Sequence, residues 1–209
     1  LSRTYRSRSA FWSDPGRRRA GQVSQALRFA ENGPAIRRAR FFLDGLAGWS
    51  DTPPMRWLLI DGFNLVFRSH FAMERSNLRR QSDQFPTGAL HGWMKSLQDL
   101  REGETPDRCA VFFDLGGSDR HLAALPDYKA QRDETPEEIV QQLPEIKRLT
   151  ALLGFQVFER RGVEADDLIA TAVRILSASG DQCIIVSADK DFGQCVGGPV
   201  IQLAPPPTA

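Results

Sequence analysis

From Met55 onward the sequence predicts an α/β domain: a mainly parallel sheet with flanking helices. Two observations carry this. Short apolar runs of strand length alternate with stretches of helical spacing, the pattern of βαβ units with right-handed crossovers. The runs are also nearly continuous in apolar character, as strands covered on both faces must be.

Each element follows in order. "RWLLIDG" reads as a buried strand ended by Asp-Gly. In "TGALHGWMKSLQDLREG" the residues Leu90, Trp93, Met94, Leu97 and Leu100 recur at helical spacing, and the helix is expected to close on Gly103. "RCAVFFDLGG" is a second strand ending in Asp114. "TPEEIVQQLPEIKRLTALLG" is helical, with Pro136 near its start and Pro144 expected to divide it. "FQVFER" is a third strand, "EADDLIATAVRILSASG" a helix ending at Gly180, and "QCIIVSAD" a fourth strand. "PVIQLA" is read as a fifth.

The 209 residues suffice for one substantial domain, and 41% hydrophobic with 25% charged residues is ordinary for a soluble protein. No apolar run approaches the ~18–20 residues of a membrane span, so no membrane partner is expected. Cys109, Cys183 and Cys195 form an odd set without metal-ligand spacing; Cys109 and Cys183 sit in apolar, strand-like runs and are read as reduced core thiols in a reducing compartment. His70, His91 and His121 are scattered, which argues against a His-rich zinc site.

Charge divides the chain. Residues 1–55 hold ten arginines, no lysine and four acids, a balance of +6; the other 154 residues carry 17 basic against 22 acidic side chains, or −5. Three segments are expected: an Arg-rich extension over 1–54, a domain over 55–203 and a Pro-rich tail over 204–209. The extension ("GRRRAG", "IRRAR") is open to three readings: upstream sequence translated from a misplaced start, a basic nucleic-acid-binding arm, or an organelle transit peptide. In each case poor order is expected.

The acids carry the chemistry. Asp61 ends the first strand and Asp114 the second; Glu164, Asp166 and Asp167 follow the third, and Asp189 and Asp191 the fourth. In a parallel sheet these ends share the edge where open α/β folds bind ligands. Taken singly, an Asp at a strand end is a turn or cap residue. Seven carboxylates at one edge repel each other and raise each other's pKa values unless cations neutralise them. Oxygen ligands without His or Cys select Mg²⁺ or Mn²⁺, and a rim of this kind could hold two ions about 4 Å apart for attack on phosphodiesters. "SDRHLAALPDYKAQRDE" adds Arg120, His121, Tyr128, Lys129 and Arg132. Lys129 and Arg132 could receive a phosphodiester and Tyr128 stack on a base; a solvated charged face is the plain alternative.

"LLIDGFNLVFR", "VFFD", "LPDYKAQRDE", "RGVEADDL" and "VSADKDF" occur in the order and spacing of the bacterial and phage 5′-nuclease (flap endonuclease) family. Over about residues 56–203 the chain resembles the 5′→3′ exonuclease domain of bacterial DNA polymerase I or its free-standing relatives. The resemblance implies a PIN-like nuclease acting in DNA replication and repair, hydrolysing phosphodiesters near a 5′ end or flap with two divalent ions. It implies Asp61, Asp114, Glu164 and Asp166 at the first ion and Asp167, Asp189 and Asp191 at the second or its waters. Lys129 and Arg132 would contact the scissile phosphate, with Arg120 and Tyr128 on the DNA. Water activated by metal, not a Ser, Cys or His side chain, would be the nucleophile. A monomer in the bacterial cytoplasm, associated with the nucleoid, is expected.

The chain departs from the family after "DKDF". There the family continues through a further "GDxxDN" carboxylate pair into a helix-hairpin-helix that grips duplex DNA, whereas this chain reads "GQCVGGPVIQLAPPPTA". The expectation is a truncated domain with an incomplete second metal site, and the alternative function is a remnant that binds metal and DNA without turnover. A phosphatase or a topoisomerase-primase-like domain would fit "SADKD" alone and leave "YKAQRDE" unexplained.

Overall fold

A computed structural model describes residues 53–115 and 135–206. The chain divides into two units, Leu1–Pro53 and Pro54–Ala209, and all described residues but Pro53 lie in the second. The extension over 1–52, and with it the choice among its three readings, lies outside the described residues, as do Arg120, His121, Tyr128, Lys129 and Arg132.

The elements run β1 (Arg56–Asp61), α1 (Gly62–Met73), a 3₁₀ turn (Glu74–Ser76), α2 (Gly88–Glu104), β2 (Arg108–Leu115), α3 (Glu137–Leu152), β3 (Gln156–Arg161), α4 (Ala165–Ala178), β4 (Gln182–Val186), a 3₁₀ helix (Lys190–Cys195) and β5 (Val200–Leu203). The five strands form one sheet in the order β3-β2-β1-β4-β5, and every neighbouring pair is parallel. The expected parallel α/β architecture is therefore present.

Strand parity decides which residues face which layer, because successive side chains point to opposite faces. Leu58 and Ile60 of β1, Val111 and Phe113 of β2, and Ile184 and Val186 of β4 join one core with Leu65, Val66, Trp93, Leu97, Ile139 and Ile146 of α1, α2 and α3. The alternate residues Trp57, Leu59, Ala110, Phe112, Cys183 and Ile185 are equally buried and face the other way. There α4 covers them with Leu168, Ile169, Ala172, Val173 and Leu176. Continuing the same parity, Asp61, Asp114 and Ser187 emerge on the α4 face.

Three expectations need correction. No element was assigned to residues 62–86, where α1 forms: the side chain of Asp61 accepts a hydrogen bond from the Asn64 N–H (3.2 Å) and caps it. The helix α2 closes on Thr105 in the left-handed region (φ 43°) and not on Gly103, with Pro106 blocking continuation. Finally, Pro144 does not divide α3, which runs unbroken through it. The residue one turn back, Val140, is half exposed, so the carbonyl that loses its donor faces water, not core.

Two buried polar groups tie elements together. Trp93 Nε1 donates to Thr150 Oγ1 at 2.8 Å, and that hydroxyl donates to the Ile146 carbonyl. The buried Asp181 carboxylate accepts from the Met55 N–H (3.0 Å) and from Trp57 Nε1 (3.2 Å), tying the start of β1 to that of β4. Burial raises the thiols of Cys109 and Cys183 to about 11 and about 12, as unreactive core thiols require. No helix among the described residues is long and apolar enough to cross a membrane.

Candidate active site

The site lies at the carboxyl ends of the strands. In the order β3-β2-β1-β4-β5 the chain direction across the sheet reverses beside β1, so the crevice between β1 and β4 is the switch point where open α/β sheets bind ligands.

Asp61 stands at that crevice. One of its carboxylate oxygens accepts from the Asn64 N–H and the other from the Ser187 hydroxyl at 2.9 Å. Its pKa is nevertheless raised from 3.8 to about 6. Burial is the largest cause, opposed by the hydrogen bonds from Asn64 and Ser187 and reinforced by the negative charges of Asp114 and Asp166. Carboxylates from three separate elements thus interact electrostatically, although they are far apart in sequence.

Asp114 reaches across to α4, where its Oδ1 accepts from the Ala165 N–H at 2.5 Å. The cap of α4 is therefore supplied from β2. Glu164 occupies the N-cap position without a side-chain cap hydrogen bond and is almost fully buried. Asp166 Oδ1 accepts from the Asp167 N–H at 2.7 Å, and Asp166 is exposed. The crowding of three acids at this helix start is thus more than capping requires.

Beyond β4, Asp189 caps the 3₁₀ helix by accepting from the Asp191 N–H (2.9 Å), and both acids are exposed. The turn that carries them is held from three sides. The Asp189 N–H donates to Ser187 Oγ (3.1 Å), the Ala188 N–H donates to Asn64 Oδ1 (3.1 Å), and Gln202 Nε2 donates to the Ser187 and Asp189 carbonyls. Asn64, Ser187 and Gln202 were missed as site residues. Ser187 was legible in principle, since it follows β4 at the parity of Asp61's face; the contacts of Asn64 and Gln202 depend on strand order.

All donors along this edge are oxygens, which suits a hard divalent cation such as Mg²⁺ or Mn²⁺. The mutual repulsion recorded in Asp61 is what a cation would relieve. Among the described residues, however, no group of three or more His, Cys, Asp or Glu side chains is gathered closely enough to hold an ion. The edge offers charge and ligand chemistry without a closed cage.

A family model described as "5'-3' exonuclease, N-terminal resolvase-like domain" matches residues 56–205. The chain belongs to this family. Its domain is 35% identical over 147 residues to a 5'-3' exonuclease of Aquifex aeolicus, covering 70% of this chain and 50% of that one. It is 34% identical over 148 residues to DNA polymerase I of Mycobacterium tuberculosis, covering 71% of this chain and 16% of the polymerase. The chain therefore spans half the length, or much less, of these relatives. Among solved structures, the T5 D15 protein co-crystallised with metal ions superposes with a TM-score of 0.59 at 25% identity, over 71% of this chain and 55% of that one. A bacteriophage T5 D15 flap endonuclease variant, solved as a pseudo-enzyme-product complex with DNA and metal ions, gives 0.56 at 25% identity, over 71% and 54%. These likenesses agree with the family resemblance carried by the motifs and with the PIN-like fold.

Proposed function

We propose that this domain is a metal-dependent 5′→3′ exonuclease and 5′-flap endonuclease that hydrolyses DNA phosphodiesters with two Mg²⁺ or Mn²⁺ ions. The observation that carries the reading is Asp61, partly buried at the switch point and raised to about 6, with desolvation the largest cause and Asp114 and Asp166 among the others. A carboxylate kept in so unfavourable a place is a functional candidate beyond its role as the cap of α1.

Asp61, Asp114, Glu164 and Asp166 would hold the first ion, and Asp167, Asp189 and Asp191 the second or its waters. Bound cations supply Lewis acidity and an activated water. The protein's own contribution is orientation. Ser187 and the Asn64 N–H fix both oxygens of Asp61, and the Ala165 N–H fixes Asp114. Lys129 and Arg132, at one-turn spacing in the sequence, are assigned to the scissile phosphate, with Arg120 and Tyr128 along the single strand. The substrate is DNA with a 5′ single-stranded end or flap, taken by a monomer.

A second reading, metal and DNA binding without turnover, draws on the lack of a closed three-carboxylate group among the described residues. One experiment separates the two. The full chain is incubated with a labelled 5′-flap duplex in Mg²⁺, in Mn²⁺ and in EDTA, beside Asp166→Ala. Cleavage near the junction that needs metal and disappears in the variant supports the nuclease. A folded chain that retards the duplex in metal and leaves it intact supports the second reading.

A further inference from the structure

We propose that Gln202 is a positioning residue for the Asp189–Asp191 pair. This rests on reading the strand-end carboxylates as a divalent-cation site. Gln202 lies on β5, an edge strand, opposite Ile185 of β4. Its amide nitrogen donates to the Ser187 carbonyl at 3.0 Å and to the Asp189 carbonyl at 2.6 Å. Both amide hydrogens are thereby committed, to carbonyls two residues apart that bracket Ala188.

That turn is where β4 ends and the two acids begin. Asp189 is the cap and Asp191 lies in the first turn of a short 3₁₀ helix, both are exposed, and 3₁₀ hydrogen bonds are in general poorly aligned. Neighbouring elements therefore add to the few bonds it makes within itself, from the Phe192 N–H to the Asp189 carbonyl and from the Asp191 N–H to the Asp189 carboxylate. Below the turn, Ser187 donates to Asp61 and receives the Asp189 N–H, so any shift of the turn strains the bond to Asp61. To one side Asn64 receives the Ala188 N–H. Gln202 closes the other side by donating to the carbonyls, whereas Ser187 Oγ and Asn64 Oδ1 accept from the N–H groups of the turn. The result couples the separation of Asp61 from Asp189 to a side chain that carries no charge and is offered to no ion. Groups that hold metal ligands in place typically change metal affinity when removed, even though they never touch the ion.

The test uses calorimetric titration of Mn²⁺ into the full chain, with Gln202→Met, Gln202→Asn and Ile201→Thr beside the parent. Met keeps the length of Gln without a donor; Asn keeps the amide but is one methylene too short to span both carbonyls. Ile201 is 45% exposed on the same strand and reports on β5 alone. Thermal midpoints are recorded in EDTA. The expected result is Mn²⁺ affinity weakened on the order of tenfold in Gln202→Met, less in Gln202→Asn, and unchanged in Ile201→Thr, with similar midpoints. Parent-like affinity in both Gln202 variants overturns the positioning role and leaves the cation site standing. An equal loss in Ile201→Thr also overturns it, because the strand and not the amide would then be responsible. A parent that binds no Mn²⁺ overturns the cation-site reading itself, and the positioning role with it.

Discussion

Replacing Asp61 with Asn should make the metal-free protein more stable while removing its proposed activity. Asp61 ionises at about 6 in the folded chain against 3.8 for a free side chain. A difference of about two units is roughly 3 kcal/mol of penalty on the charged form. Asn has nearly the same shape, and its single oxygen can still accept from the Asn64 N–H or the Ser187 hydroxyl; losing the second bond costs about 1 kcal/mol. The net expectation at pH 7.5 in EDTA is about 2 kcal/mol in favour of Asp61→Asn, or about 4–8 °C in the unfolding midpoint for a chain of this size. The direction with pH follows from the raised pKa. Below about 4 the carboxyl is protonated in both states of the parent, and no ionisation penalty exists. As pH rises from about 4 to about 6 the unfolded chain ionises first, so the parent loses stability relative to the variant; above about 6 the difference is constant. Thermal unfolding of both proteins in EDTA, at pH 4 and at pH 7.5, measures it. Asp61→Asn less stable than the parent at pH 7.5, or an equal gap at both pH values, would refute the assignment of a partly buried, desolvated carboxylate. Saturating Mg²⁺ should shrink or reverse the gap, since a ligand that binds only the native parent stabilises it by mass action.

Three further outcomes follow from the packing. Gly62→Ala should destabilise by about 1–3 kcal/mol, because the added Cβ would lie 2.5 Å from Phe113 Cε1 and 2.7 Å from the Phe112 carbonyl; urea unfolding reads it, and a neutral result would mean α1 can shift away from β2. Thr150→Val leaves the Trp93 Nε1–H without its partner and should cost about 1–3 kcal/mol by the same assay, with cleavage unaffected at 25 °C. Pro144→Ala should raise the thermal midpoint, since it restores a backbone donor inside a helix that already runs through that position; a lower midpoint would show that the proline ring packs against its neighbours with more benefit than the missing hydrogen bond removes.

How much was legible before the structure depends on the range of each interaction. Strand and helix periodicity is local, so β1 to β5, α2, α3 and α4 could be read from apolar spacing, and an Asp closing each of the first two strands could be placed at one edge. The helix α1 could not be read that way: "GFNLVFRSHFAM" mixes Gly62, three phenylalanines, Asn64, Ser69 and the β-branched Val66, all of weak helix preference, and its cap is an Asp that equally marks a strand end. The division expected at Pro144 failed for the converse reason, since burial of Ile139, Gln142, Ile146 and Thr150 along one face outweighs a single missing bond on the other.

The sequence by itself determined the chemistry available: which strands would be buried, that their ends would be acidic, and that only oxygen donors would be offered there. Strand order was decided by tertiary structure alone, because sheet pairing joins residues far apart in the chain and leaves no periodic trace in it. That order sets β1 between β2 and β4, and so sets Asp61 against Ser187, 126 residues away. It likewise brings Asp114 to the first N–H of α4 and Gln202 to the carbonyls beneath Asp189. Each of those hydrogen bonds depends on a neighbour that only the completed sheet supplies.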